Sequence, residues 1–344
     1  MTGDTIMREK SCAATPAPPA HSAGSRFPFT AFFTGWYRIA ASGDVTPGKI
    51  KSLHVFGQDL VLLRDAAGIA RVFDAHCPHL GAHFGEGRVE GDTLRCGFHG
   101  WRFDGHGRCV AAGHARKVPR ATVRAWPVAE IDGAIMVWFD RDGRAPLWDA
   151  ASLPEFADRA HWTRFRAGRT RIVRTHIQDL AENGCDVHHF TVAHGEAISD
   201  AKTLAFERQG EKLRHLMSQR FKLPAFMRPL MPFGEGTLEF SYMGLGKVAV
   251  RAKLDRPFAL DYLTVMYFTP IDAEHASITA EFSIKRRGLA TPFFYALSMR
   301  GSDQAIADDM KIMETKAYQP RPRLSEADGP ILQFRRWAQQ FYAA

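Results

Sequence analysis

The chain has no apolar run near the roughly 18 residues that a membrane-spanning helix needs. Its most apolar stretch, "AIMVWF" at 134–139, is only strand length. The first 28 residues are rich in Ala, Pro, Ser and Gly and lack the continuous apolar core of a secretory signal. They read as a disordered tail, and the protein is expected in the cytoplasm. Cysteine is scarce and odd in number, five in 344 residues, which argues against a disulfide framework. Cys12 falls in the tail, and Cys109 and Cys185 read as buried free thiols. The net charge is +8, but the basic residues form no long block and no nucleic-acid motif. The surplus reads as a solvated basic surface, or as a dock for an acidic electron-transfer partner. A dinucleotide fingerprint is also missing. "GLGKVA" at 244–249 has the glycine spacing, but "KVAVRAKL" then alternates like a strand, where the fingerprint must open a helix.

What is present divides in two. From 35 to 140, short apolar runs ("WYRIA", "LVLLR", "ARVFD", "DTLRC", "AIMVWF") alternate with Gly- and Asp-rich turns, as in a small antiparallel β domain. "RAPLWDAASLPEF", 144–156, reads as a linker. Beyond it, strand-like "TRIVRTHI" leads into helix-like "QDLAENGCDVHHF". Alternating segments follow, and helices are expected near 292–317 and 327–342. The expectation is an α+β protein with a tail at 1–28 and domains at 29–145 and 146–344.

The first domain carries Cys77-x-His79 and, after sixteen intervening residues, Cys96-x2-His99. Zinc fingers group cysteine with cysteine and histidine with histidine. Here each short pair holds one of each, which fits a Rieske [2Fe–2S] cluster: Cys77 and Cys96 on one iron, His79 and His99 on the other. A structural zinc site is the alternative. His76, His83, His106 and His114 lie off the pattern.

The second domain carries "ENGCDVHHFTVAH", 182–194, which fits D/E-x3-D-x2-H-x4-H with Glu182, Asp186, His189 and His194. In one continuous helix Glu182, Asp186 and His189 would share a face, together with Asn183, and the helix would loosen before His194. Two histidines and a carboxylate form the facial triad of non-haem Fe(II) oxygenases. Within "SDQAIADDMKIMETK", Asp309 has Ala305, Ile306, Ile312 and Met313 at helical spacing, all apolar, whereas Asp308 has polar neighbours. Asp309 is therefore the carboxylate aimed inward, where an unpaired charge is costly and a metal would satisfy it.

Together the two motifs resemble the catalytic subunit of Rieske non-haem iron oxygenases, over nearly the whole chain after residue 28. Ala82 stands where respiratory Rieske proteins usually carry a disulfide-forming cysteine. The resemblance implies a helix-grip catalytic domain, O2 as co-substrate, and a separate NAD(P)H-dependent ferredoxin-type reductase. It also implies a head-to-tail homotrimer, in which Asp186 bridges one subunit's cluster to its neighbour's iron. The run 309–342, with Asp328-Gly329-Pro330, Arg335-Arg336-Trp337 and Phe341-Tyr342, resembles the ending of 3-ketosteroid 9α-hydroxylase oxygenases and of the cholesterol 7-desaturase group. A steroid or sterol substrate is expected on that basis. "FKLPAFMRPLMPFGEGTLEFSYMGLG", 221–246, is apolar enough to line its pocket or to pack in the core. The rival readings are an oxygenase that demethylates aromatic acids, which would show a basic residue in the pocket, and a non-enzymatic Rieske electron carrier.

Overall fold

The computed structural model describes residues 26–30, 32–113, 115–194, 198–222, 233–256 and 259–342. The expected tail lies outside the described residues as far as 25, with Cys12 in it, and so do His114 and residues 223–232 of the apolar middle. Residues 26–28, placed in the tail by composition, are docked. The Arg26 guanidinium donates to the carbonyls of Met313 (2.8 Å), Glu314 (2.7 Å) and Lys316 (3.0 Å), and Phe27 is buried. These are the orphan carbonyls of a helix end, where a cation is favoured.

Three small sheets form the N-terminal part. β1 (Gly35–Ala41) and β10 (Val128–Ile131) flank β11 (Ala134–Phe139). A second sheet runs β2 (Ile50–Val55), β3 (Gln58–Arg64), β4 (Ala70–Asp74), β9 (Ala125–Trp126). The third runs β5 (Arg88–Glu90), β6 (Thr93–Arg95), β7 (Trp101–Phe103), β8 (Cys109–Ala112). β11 explains its own composition. Ile135, Val137 and Phe139 enter the main core, while Ala134, Met136 and Trp138 enter a second one. A strand buried on both faces reads as an unbroken apolar run.

The C-terminal part is built on an eight-stranded antiparallel sheet. Its order is β12 (Arg166–Ala167), β19 (Ala276–Ile284), β18 (Leu260–Pro270), β17 (Lys247–Arg256), β16 (Phe233–Met243), β15 (Lys212–Lys222), β14 (Ile198–Gln209), with β13 (Arg171–Val173) also paired to β19. A short α1 (Pro154–Ala157) lies in the linker. α2 (Ile177–Asn183), α3 (His189–Ala193), α4 (Thr291–Thr315) and α5 (Ile331–Ala338) complete the element list. α2 packs on β18 and α5, and α4 on β19 and β13. The rejected "GLGKVA" fingerprint does lead into a strand, β17. The two parts are joined by backbone bonds from Phe56 to Pro270 (3.0 Å) and Gly57 to Ile271 (2.8 Å), and by the buried Lys247–Asp132 ion pair at 2.7 Å.

One expectation fails. "QDLAENGCDVHHF" is not a single helix: α2 ends at Asn183, and α3 starts only at His189. Glycine at 184 and the tertiary contacts of the intervening turn, described next, outweigh the local helical pattern.

Candidate functional site

The loops after β4 and β6 are built alike. In each, the cysteine carbonyl accepts the N–H of a glycine four residues on: Gly81 to Cys77 at 2.9 Å, Gly100 to Cys96 at 3.1 Å. Both glycines hold positive φ, 74° and 70°, which other residues resist. The two thiols are buried, His79 is half-buried and His99 is exposed. The imidazoles lie with centroids 4.8 Å apart, and His79 is stacked on Trp101 at 4.3 Å. Burial, and then Cys96 beside it, pushes the Cys77 thiol up to about 11. Two buried thiols next to two imidazoles form a donor set for metal. A single zinc ion would need all four donor atoms gathered about one point. They are not, since among the described residues such a gathering of three or more occurs only elsewhere. An inner sulfur pair and an outer nitrogen pair suit two irons instead.

That other gathering is His189, His194 and Asp309, whose ligand atoms all lie within 4.8 Å of one another. Asp309 Oδ1 is 3.7 Å from His189 Nε2 and 3.5 Å from His194 Nε2. These approaches are not ion pairs at neutral pH. Burial lowers both imidazoles to about 4 and raises the Asp309 carboxyl to about 7. His189 Nδ1 lies 2.6 Å from the Asp186 carbonyl, which can only accept. The proton is therefore on Nδ1, and Nε2 is left as an acceptor facing the carboxylate. A cation between these converging acceptors would relieve their repulsion, and His194 Nδ1 is buried with no partner among the described residues. The residues present thus fit a mononuclear metal. Asn183 spans the group: its amide nitrogen is 3.2 Å from His189 Nε2, and it hydrogen-bonds Asp309. The Asp186 carboxylate accepts the His189 backbone N–H at 3.2 Å, capping α3. Asp308 points away and pairs with Lys311 at 2.8 Å, and His188 is exposed.

Glu182 does not join this group. Its two oxygens take both arms of the Arg335 guanidinium, each at 2.7 Å, in a buried pair that ties α2 to α5. The turn between α2 and α3 is held from the sheet by residues no motif announced. His215, fully buried on β15, bonds the Gly184 carbonyl through Nδ1 and Thr203 through Nε2, both at 3.0 Å. Tyr242 on β16 donates to the Ala181 carbonyl at 3.0 Å. From the other side Gly329 closes against Cys185 and Val187, leaving no room for a Cβ. His215 and Tyr242 sit in ordinary alternating strands, so only the sheet's register reveals what they touch. Beside Asp309 a cavity of about 60 Å³ is walled by α2, α3 and α4 and by strands β16, β18 and β19. Apart from Asn183, Gly184 and Asp309 its lining is apolar, including Phe190, Phe240, Met266, Phe268 and Met310.

Comparison with known proteins places each part of the chain in a family. Residues 35–127 match the Rieske [2Fe-2S] domain, and residues 137–342 match the 3-Ketosteroid 9alpha-hydroxylase C-terminal domain. Cholesterol 7-desaturase nvd 1 of Ciona intestinalis is 31% identical over 332 residues, 90% of this chain and 69% of that protein. The oxygenase component of 3-ketosteroid-9-alpha-monooxygenase from Rhodococcus rhodochrous is 29% identical over 334 residues, 91% of this chain and 84% of that protein. The crystal structure of dicamba monooxygenase bound to dicamba superposes with a TM-score of 0.72 over 90% of this chain and 96% of that one; at 19% identity it shows the shared fold. With a Rieske domain in front and a 3-ketosteroid 9α-hydroxylase-type domain behind, the chain belongs to the Rieske non-haem iron oxygenases.

Proposed function

We propose that this oxygenase oxidises a steroid or sterol, by hydroxylation or a reaction derived from it. We further propose that Cys77, His79, Cys96 and His99 hold its cluster, and that His189, His194 and Asp309 hold its iron. The observation that carries the substrate reading is the cavity beside Asp309, whose described lining contains no Lys, Arg or His. An aromatic acid would need a cation there, and a steroid nucleus would not. The likeness to ketosteroid monooxygenase and cholesterol desaturase points the same way. At about 60 Å³ the cavity is far below the roughly 300–1,000 Å³ of ligand pockets. Substrate binding would therefore have to widen the cavity.

When bound, the cluster supplies single electrons and the iron supplies O2 activation at a C–H bond. The chain's own residues position these reactions. The Asp186 carbonyl fixes the His189 tautomer, and its carboxylate lies next to the same ligand. Asn183 holds the Asp309 carboxylate in place against His189. Phe190, Phe240 and Phe268 keep water from the reacting carbon, and a rigid ring system bound by shape loses little entropy.

Electrons are proposed to come from a separate NAD(P)H-dependent reductase, in the cytoplasm, and to pass between subunits of a homotrimer through Asp186. Two surface features support the last step. Leu80 and Phe98 are exposed on the cluster loops, an apolar tip suited to docking. An open groove of about 410 Å³ lies beside Asp186, between Val187, Phe206 and Pro330. The test is turnover with a surrogate reductase on a panel of 3-ketosteroids, sterols and methoxybenzoates. Steroid or sterol oxidation is expected; turnover confined to the aromatic acids would refute the substrate assignment and leave the family intact.

A further inference from the structure

The first three turns of the long helix turn an apolar face to solvent. Leu289, in the short turn leading into α4, is fully exposed, Phe293 is 57% exposed and Leu297 is 42% exposed. Pro292 and Ala296, also exposed, fill the gaps at helical spacing. No described residue packs over this stripe, and it stops where Arg300, Gly301 and Gln304 follow on the same face. Its surroundings are basic. No Asp or Glu occurs between Glu281 and Asp303, while Arg286 and Arg300 are exposed. The neighbouring run adds exposed Arg159, Arg164 and Arg166. It is held there by a bond from the Arg286 backbone to His161 at 2.6 Å and by the pairing of β12 with β19. The nearby acids are already engaged: Asp303 by Arg171 at 2.7 Å, Asp261 by Lys285 at 3.5 Å, Asp158 by His161 at 2.9 Å.

We propose that this stripe and its basic border form a surface that docks on an anionic phospholipid membrane. Leu and Phe side chains on one helix face suit the boundary between headgroups and acyl chains, and the arginines suit the phosphates above it. A second copy docked stripe to stripe fits poorly, because it would set one basic border against another. An electron donor fits poorly too. It must approach the exposed His99 edge of the N-terminal domain, whereas α4 packs on β13 and β19. The docking is peripheral, since no described helix is long and apolar enough to cross a bilayer.

Flotation of the iron-loaded, full-length protein with phosphatidylcholine vesicles, with and without phosphatidylglycerol, tests the proposal. The protein should float with the anionic vesicles, little with the neutral ones, and lose binding in high salt. The variant Leu289→Gln/Phe293→Gln/Leu297→Gln should float at least about tenfold less, with its visible spectrum and iron content unchanged. Arg164→Gln/Arg286→Gln should lose the preference for anionic lipid. Absence of flotation by the unaltered protein overturns the proposal, as does undiminished flotation of the triple variant. So would a drop in oligomeric mass in the triple variant, which would assign the stripe to a second copy. Salt-sensitive binding to polyglutamate without binding to vesicles would assign it to an acidic protein instead.

Discussion

Asp308 and Asp309 are adjacent in sequence and opposite in environment. One is paired with Lys311; the other faces two neutral imidazoles. Asp309→Ala should therefore strip the mononuclear iron while the cluster's visible and EPR spectra persist. The loss of turnover should exceed the roughly 10–100-fold typical of removing a ligand's supporting partner. Asp308→Ala should keep its iron; the opposite ranking, by metal analysis, would overturn the assignment. Asp186 is a different kind of residue. It touches His189 through its carbonyl and its backbone-capping carboxylate, and is not one of the three converging groups. Asp186→Asn should retain both metal centres yet slow reduction of the iron by the cluster at least roughly tenfold, read by single-turnover spectroscopy. Normal single-turnover rates in that variant would remove Asp186 from the electron path.

Between residues and molecule, the turn joining α2 to α3 sets the positions of Asn183 and His189. Gly184 has an ordinary helical backbone, so it is required for space and not for its φ. A Cβ there would meet Tyr242 and Phe240. Gly184→Ala should cost about 1–3 kcal/mol, as overpacking does, and lower iron occupancy through the displaced turn. Thermal unfolding and metal analysis would register both changes, and an unchanged variant would show the turn to be slack. The Glu182–Arg335 pair acts on the same elements by another means. Breaking it with Glu182→Gln leaves the partly buried Arg335 guanidinium without its carboxylate, at a cost of up to about 3–5 kcal/mol. Replacing both partners by Met should recover most of that loss in melting experiments. Failure to recover would mean the pair does more than hold α2 against α5.

For the whole molecule, the proposed electron path crosses between subunits, and that has a direct test. His99→Ala is expected to lack a working cluster, and Asp309→Ala to lack the iron. Each alone should be inactive. Subunits of the two kinds mixed in one trimer should recover part of the wild-type turnover, because an intact cluster then meets an intact iron next door. No recovery in mixed trimers, with both variants folded and of trimeric mass, would place the path within one subunit.

How much of this is written locally depends on the range of the interactions. Cys77-x-His79 and Cys96-x2-His99 are legible from sequence because each cluster loop is a local structure, closed by its own cysteine–glycine bond and its own positive-φ glycine. Apolar patterning likewise marked some of the strands, β1, β3, β4, β11, β17, β18 and β19 among them, and both late helices, since side-chain period follows backbone geometry. Asp309 was distinguishable from Asp308 by helical spacing alone, because burial of one face is periodic. What lay beyond local reading was decided by contacts between residues far apart in sequence, from 31 positions (His215 to Gly184) to 153 (Glu182 to Arg335). Glu182, in register with the metal residues, is turned to Arg335 instead. The single helix expected across 178–190 breaks because His215, Tyr242 and Gly329 hold its middle as a turn. No periodicity in a linear chain records which strand will lie beneath which turn. That choice was made by the register of the eight-stranded sheet and the docking of the C-terminal segment on it.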